Sequence, residues 1–151
     1  MDDVTIRPAG ADDSLAVAAL ALQMGIGLGH APEPGFLDRY AVAWVAALER
    51  RPTWLAEASD GRPLGAVVTA RVDKLPRLGR GETCWLHVSS LFVTVDVRGR
   101  GLGEALLGAV VGWAREQGVD WLQLNAVPEA RSLYERAGFT PADPRLMGLR
   151  W

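Results

Sequence analysis

The stretch 91–107, Leu-Phe-Val-Thr-Val-Asp-Val-Arg-Gly-Arg-Gly-Leu-Gly-Glu-Ala-Leu-Leu, constrains this chain more than any other. An apolar, β-branched run passes into a basic turn dense in glycine, and the turn opens a segment of helical character. Glycine lets backbone N–H groups approach a ligand closely. The first turn of a helix adds unpaired donors and the positive end of the helix dipole. Strand, turn and helix start in that order make an anion site. The fold must therefore be one that delivers a strand end and a helix start to the same rim.

The bulk properties bound the rest. A chain of 151 residues fits one domain, 1–151, with room for a real core. With 49% hydrophobic residues and a mean hydropathy of +0.08, it is globular rather than disordered. A net charge of −2 gives no electrostatic footprint for nucleic acid, so none is expected as a partner. Cys84 is the only cysteine, which excludes an intrachain disulfide and a cysteine-based zinc cluster, and no metal is expected. The start Met1-Asp2-Asp3 is acidic and lacks the basic region of a secretory signal. The uncharged run 14–29 is broken by Gly25, Gly27 and Gly29, too short and interrupted to span a bilayer. A cytoplasmic protein without a membrane partner is the expectation, and a homodimer is left open.

Periodicity and breakers then order the elements. Strands are expected over 4–7, 53–58, 64–72, 84–95 and 121–126, with another starting at Phe139 and a last one over 147–151. Helices are expected from Asp12 or Asp13 to Met24, over 36–50, over 101–117 with Gly118 as terminator, and over 128–137 with Pro128 in the first turn. The turn 59–63, Ser-Asp-Gly-Arg-Pro, joins two strands into an antiparallel hairpin. A helix between strands 84–95 and 121–126 makes them a parallel unit with a right-handed crossover. The result is a mixed α/β sheet covered by helices. Ligands of such sheets sit beyond the strand carboxyl ends, which brings the glycine turn, Asn125 and the helix at Pro128 to one rim.

Two nucleotide readings of the turn fail on residues. A P-loop needs Gly-Lys-Ser/Thr, and no lysine is present there. A dinucleotide fingerprint starting at Gly101 meets Leu106 at its third glycine, and Asp120 precedes the next strand instead of ending it. What remains is Arg98-x-x-Gly101-x-Gly103, which resembles the Arg/Gln-x-x-Gly-x-Gly/Ala signature of the GNAT superfamily of N-acetyltransferases. Leu91-Phe92-Val93 precedes it, Asn125 closes the following strand, and Ala130-x-x-Leu133-Tyr134-Glu135-Arg136-Ala137-Gly138-Phe139 resembles the family's Tyr-Glu-basic-x-Gly-Phe helix. Ile6-Arg7-Pro8-Ala9 with Asp12-Asp13 is similar to its opening.

The resemblance implies a mostly antiparallel sheet of six to seven strands with about four helices and central parallel strands that splay apart. It implies acetyl transfer from acetyl-CoA to a primary amine of a small molecule or peptide by direct attack. Pyrophosphate would rest on the amides of Gly99, Arg100, Gly101, Leu102 and Gly103, with Arg98 and Arg100 adding charge. Pantetheine would pair with the strand edge near Leu91, Val93 and Val95, with Asn125 and Tyr134 also on the cofactor.

Catalytic roles follow from the chemistry. An amine such as lysine has a pKa near ~10.4, so a base must take a proton, directly or through water. Many family members have Glu four residues before the position of Leu91; this chain has His87, and free imidazole titrates at roughly 6.5. The competing reading of His87 is a histidine satisfied by hydrogen bonds in the interior. Alternation along the strand would put Trp85, His87, Ser89, Leu91 and Val93 on one face, with Ser89 holding a relay water. A thiolate leaving group of pKa ~8.5 can take a proton from a phenol near ~10, the role given to Tyr134. Glu33, Asp73 and Glu82 mix with Arg71, Arg77 and Arg80 in the acceptor loops, so no charge preference emerges. A non-catalytic acyl-CoA sensor of the same fold, or one using another acyl group or a hydroxyl acceptor, stays open.

Overall fold

The computed structural model describes residues 3–151; Met1 and Asp2 of the acidic start lie outside the described residues. Five strands form one sheet in the order β1-β2-β3-β4-β5: β1 Val4–Pro8, β2 Thr53–Ala58, β3 Pro63–Lys74, β4 Thr83–Val93 and β5 Trp121–Gln123. The first four pair antiparallel and only β4 and β5 are parallel. The helices are α1 Ser14–Gly27, α2 Phe36–Ala46, α3 Leu102–Glu116 and α4 Arg131–Arg136. Short 3-10 turns precede α1, follow α2, lead into the glycine turn and precede α4.

One layer, α3, packs on one face through Leu102, Leu106, Val110 and Ala114, spaced four apart as a helical stripe requires. These side chains join Trp54, Leu64, Val67, Leu86 and Val88 in the largest core cluster. On the other face α1 lays Leu20 against Leu55, Ala66 and Phe92, and Val17 against Trp44 and Val68. Gly118 ends α3 with φ +69, and Val119 N–H reaches back to the Ala114 carbonyl at 2.9 Å. At the sheet's outer edge Arg7 holds Asp13 through two nitrogens, each at 2.8 Å, and Glu57 at 2.8 Å, joining β1, the turn before α1, and β2.

Three expectations change. No strand forms at Phe139 or over 147–151; Pro141 and Pro144 withhold N–H donors, and an Asp143–Arg145 turn straddles Pro144. The sheet therefore has five strands. The fourth strand ends at Val93, not residue 95, because Val95–Val97 winds into a 3-10 turn, and the fifth ends at Gln123, not residue 126, so Asn125 lies beyond the strand and does not close it.

The third change concerns the faces of β4. Val68 pairs with Ser90 but Thr69 pairs with Val88, so Ser89 is an extra residue without a partner on β3, a β-bulge. A one-residue insertion turns every later side chain to the opposite face. Leu86 and Val88 before the bulge face α3, while Phe92 after it faces α1. The expected single face is thus two: Trp85 and His87 lie on the α1 side, and Leu91 and Val93 pack toward α3.

Candidate active site

The strand-turn-helix rim is built by backbone conformation. Gly99 and Gly101 hold φ of +75° and +81°, a region that costs other residues strain. Gly101 caps α3 on the N-terminal side, and the helix ladder begins with Ala105 N–H to the Gly101 carbonyl at 3.0 Å. The N–H groups of Leu102, Gly103 and Glu104 precede that bond and are the unpaired donors of a helix start. A side-chain carbon at Gly103 would make an ordinary contact with Leu133 of α4 at 3.5 Å, which places Gly103 directly against α4.

Helix α4 is fixed to this rim a second time by Arg136, whose Nε donates to Glu104 at 2.7 Å. It carries Tyr134, half-buried, with its ring edge-on to Phe139 at 5.9 Å. Burial pushes the Tyr134 phenol above its ordinary value of 10.0. Helix α4, which carries Tyr134, is therefore docked beside the glycine turn through Leu133 at Gly103 and Arg136 at Glu104. Sequence spacing gave no hint of the Glu104–Arg136 pair; Glu104 at the helix start has an adequate dipole explanation by itself.

Strand β4 supplies the open edge. Its parallel pairing with β5 stops at His87 with Gln123, yet β4 runs on to Val93. Beyond that point the two strands part. Thr94 N–H bonds the Leu64 carbonyl on the β3 side, so by alternation the peptide groups of Val93 point to the opened side. Arg98 folds back there: its Nε donates to the Val93 carbonyl at 2.9 Å and its guanidinium lies 5.4 Å from the centre of the Phe92 ring. Arg98 thus covers the end of β4 instead of extending over the turn. Arg100 is exposed, and Val95 is 74% exposed at the head of the 3-10 turn. Asn125 is exposed two residues beyond the end of β5.

His87 is half-buried between Ala70 and Gln123 on the α1 side, and Ser89 is the exposed bulge residue. The alternation that set Ser89 beside His87 does not hold. The structure brings the turn, the β4 edge and the helix that carries Tyr134 together, while His87 lies on the face of β4 opposite Leu91 and Val93. Among the described residues no cluster of His, Cys, Asp and Glu has the makings of a metal site, and no helix is long and apolar enough to cross a membrane.

This arrangement has known counterparts. The chain matches the acetyltransferase (GNAT) family over residues 15–139. It is 28% identical over 113 residues to a glucosamine 6-phosphate N-acetyltransferase of Trypanosoma brucei brucei, covering 74% of this chain and 77% of that protein. It is 38% identical over 91 residues to a mycothiol acetyltransferase of Beutenbergia cavernae, covering 58% of this chain but 28% of the longer relative. In fold it is similar to a predicted acetyltransferase of Clostridium acetobutylicum whose crystal structure holds acetyl-CoA, with a TM-score of 0.80 at 19% identity over 97% of this chain and 96% of that one. With the family matched across most of its length, the chain is a member of the GNAT acetyltransferase family and an acyltransferase.

Proposed function

We propose that this single domain transfers the acetyl group of acetyl-CoA to a primary amine of a small molecule or peptide by direct attack. The observation that carries the reading is the junction of three parts: the turn Gly99–Gly103 at the start of α3, the unpaired edge of β4, and α4 bound to that rim with Tyr134. The fit to the cofactor rests on this chain's own atoms. Donors from Leu102 to Glu104 suit a pyrophosphate, and an unpaired strand edge at Val93 suits an amide-bearing chain. When bound, acetyl-CoA supplies an activated thioester carbonyl. The relatives named for glucosamine 6-phosphate and mycothiol support a small-molecule acceptor.

The residues divide the proton work. As the amine nitrogen bonds the acyl carbon and the carbon–sulfur bond breaks, Tyr134 gives its proton to the departing sulfur. Its raised pKa keeps it protonated at neutral pH. His87 takes, through water, the proton the amine loses, from the face opposite Leu91 and Val93. Arg98 must release the Val93 carbonyl for that edge to pair with a ligand.

Acetyl-CoA at ~100 times its dissociation constant should add about 2.7 kcal/mol to stability. Thiol release across an amine library then reads transfer, and Tyr134→Phe should cut turnover on the order of a hundredfold or more while leaving acetyl-CoA affinity in place. No thermal shift at millimolar acetyl-CoA would remove the cofactor reading. Equal turnover in the variant would remove the role of Tyr134, and binding without transfer to any amine would leave a binding module.

A further inference from the structure

The α1 side of the sheet is covered only in part. Helices α1 and α2 reach the cluster at Val68 and the cluster at Phe92. Ala70, Val72, Trp85 and His87, farther along the same face, join none of the three core clusters. Two large aromatic rings stand on this uncovered part. Trp85 is paired across the ladder with Trp121 of β5, and their rings stack 5.6 Å apart at 7°. Trp121 is 38% exposed. The indole N–H of Trp85 is buried without an acceptor among the described residues.

Lys74, the only lysine of the chain, ends β3 with its Nζ 5.4 Å from the centre of the Trp121 ring. It joins no ion pair among the described residues. Its neighbour Asp73 points to the other face by alternation and is held by Arg71 at 2.8 Å. The loop beyond adds Arg77 and Arg80 against Glu82 alone, so the tip is cationic. His87 lies two residues from Trp85 on the same face, before the bulge, roughly 7 Å along the strand.

We infer that Lys74 and the Trp85–Trp121 pair are the seat of the acceptor's far end, and that the acceptor is a small amine carrying an anionic group. The inference rests on the acetyl-transfer reading for the position of the amine near His87. The body of the acceptor lies along the indole edges, and its anion meets the Lys74 ammonium. A cation held on an aromatic surface without a carboxylate is partly desolvated, which strengthens its attraction for an incoming anion. Charge supplies selectivity here, and the stacked rings supply area.

Titration calorimetry against the coenzyme A-saturated protein reads this without turnover. Two matched probe pairs serve: glucosamine with glucosamine 6-phosphate, and phenethylamine with its para-carboxylate. The anionic member of each pair should bind about tenfold tighter. Lys74→Met should abolish that preference while leaving the neutral members unchanged, and Lys74→Arg should restore it. Trp121→Leu should weaken both members of a pair alike; thermal midpoints near wild type for the Lys74 variants show that they are folded. Equal affinity within both pairs, a preference that survives in Lys74→Met, or no binding of either anionic probe at millimolar concentration overturns the seat. Thiol release measured in parallel separates the two ideas. A Lys74-dependent preference without any thiol release removes the chemistry assigned to His87 and Tyr134 and keeps the seat. Thiol release indifferent to acceptor charge does the reverse.

Discussion

The halves of β4 on either side of Ser89 are made of similar residues and face opposite layers. Before the bulge, Cys84, Leu86 and Val88 are buried toward α3 while Trp85 and His87 stay half-exposed on the α1 side. After it, Phe92 is buried under α1 and Leu91 and Val93 turn toward α3. The first half pairs on both sides, with β3 and with β5; the second pairs with β3 alone. The difference teaches how a single strand serves two tasks. In the proposed reading its early half, paired with β5 from Trp85 to His87, would offer side chains to an acceptor, and its late half would offer backbone to a cofactor. The bulge is the device that separates them.

Removing the bulge is the harshest way to break this comparison. Deleting Ser89 would continue the alternation and turn Phe92, now 8% exposed among Leu20, Leu55 and Ala66, into the α3 layer. The expected outcome is loss of cooperative folding by circular dichroism and thermal melting. Ser89→Gly, which keeps the residue count, should fold. A deletion variant melting like the parent would show that the register does not matter.

A smaller effect separates the halves by kind. Leu86 is fully buried below the bulge, and Leu86→Ala should cost about 2–5 kcal/mol of stability by denaturant unfolding. Because Leu86 touches the wall and not the open edge, acetyl-CoA affinity of the folded fraction should hold. A large loss of affinity with little loss of stability would reverse the assignment.

These contrasts explain what was legible in the sequence. The glycine turn was legible because Gly99 and Gly101 take positive φ, a conformation that favours glycine. The terminator Gly118 and the turn at Gly61 were equally plain, because glycine there answers a local backbone demand. The bulge at Ser89 was not legible. Helices cover both faces over the late half, so both faces want apolar residues and no change in pattern marks the shift. Consecutive Ser89 and Ser90 inside an apolar strand are the one trace it left. The Trp85–Trp121 stack beside Lys74 was hidden for a related reason: the two residues are 36 apart in sequence and meet only through the parallel crossover. The strands expected at Phe139 and over 147–151 were read from apolar content. Leu146, Met147, Leu149 and Trp151 are instead exposed, and prolines interrupt the segment.

Gly65 lies where β3 meets the late half of β4, paired with Val93. A side-chain carbon at Gly65 would come within 2.8 Å of the Phe92 carbonyl oxygen, with Leu106 at 3.2 Å and Val93 at 3.3 Å. Backbone cannot yield as a flexible side chain can. Gly65→Ala should therefore cost about 1–3 kcal/mol by overpacking. It should also weaken acetyl-CoA binding, because the displaced residues border the open edge. Full stability in this variant would mean that β3 and β4 can part locally without penalty.

The smallest effect belongs to a control that touches neither half. Arg7 holds Asp13 and Glu57 at the far edge of the sheet. The Arg7 guanidinium, and to a lesser degree the Gly10 N–H, holds the Asp13 carboxyl below its ordinary value of 3.8 despite some burial. A depressed folded value means that the folded state releases the proton more readily than the unfolded chain. The resulting stability is complete above the ordinary carboxylate value and fades as pH falls below 3.8 through the folded value. The Arg7 side chain is 38% exposed and the Asp13 side chain 14%, so solvent screens the pair from the Arg7 side and Asp13→Asn should cost about 1 kcal/mol near neutral pH. The melting curves of parent and variant should converge in acid. Acetyl-CoA affinity and acceptor preference should both be unchanged, since α1 rests on Phe92 through Leu20 rather than through this ion pair. A loss of affinity in Asp13→Asn would instead show that the outer edge of the sheet sets the position of α1 over the late half of β4.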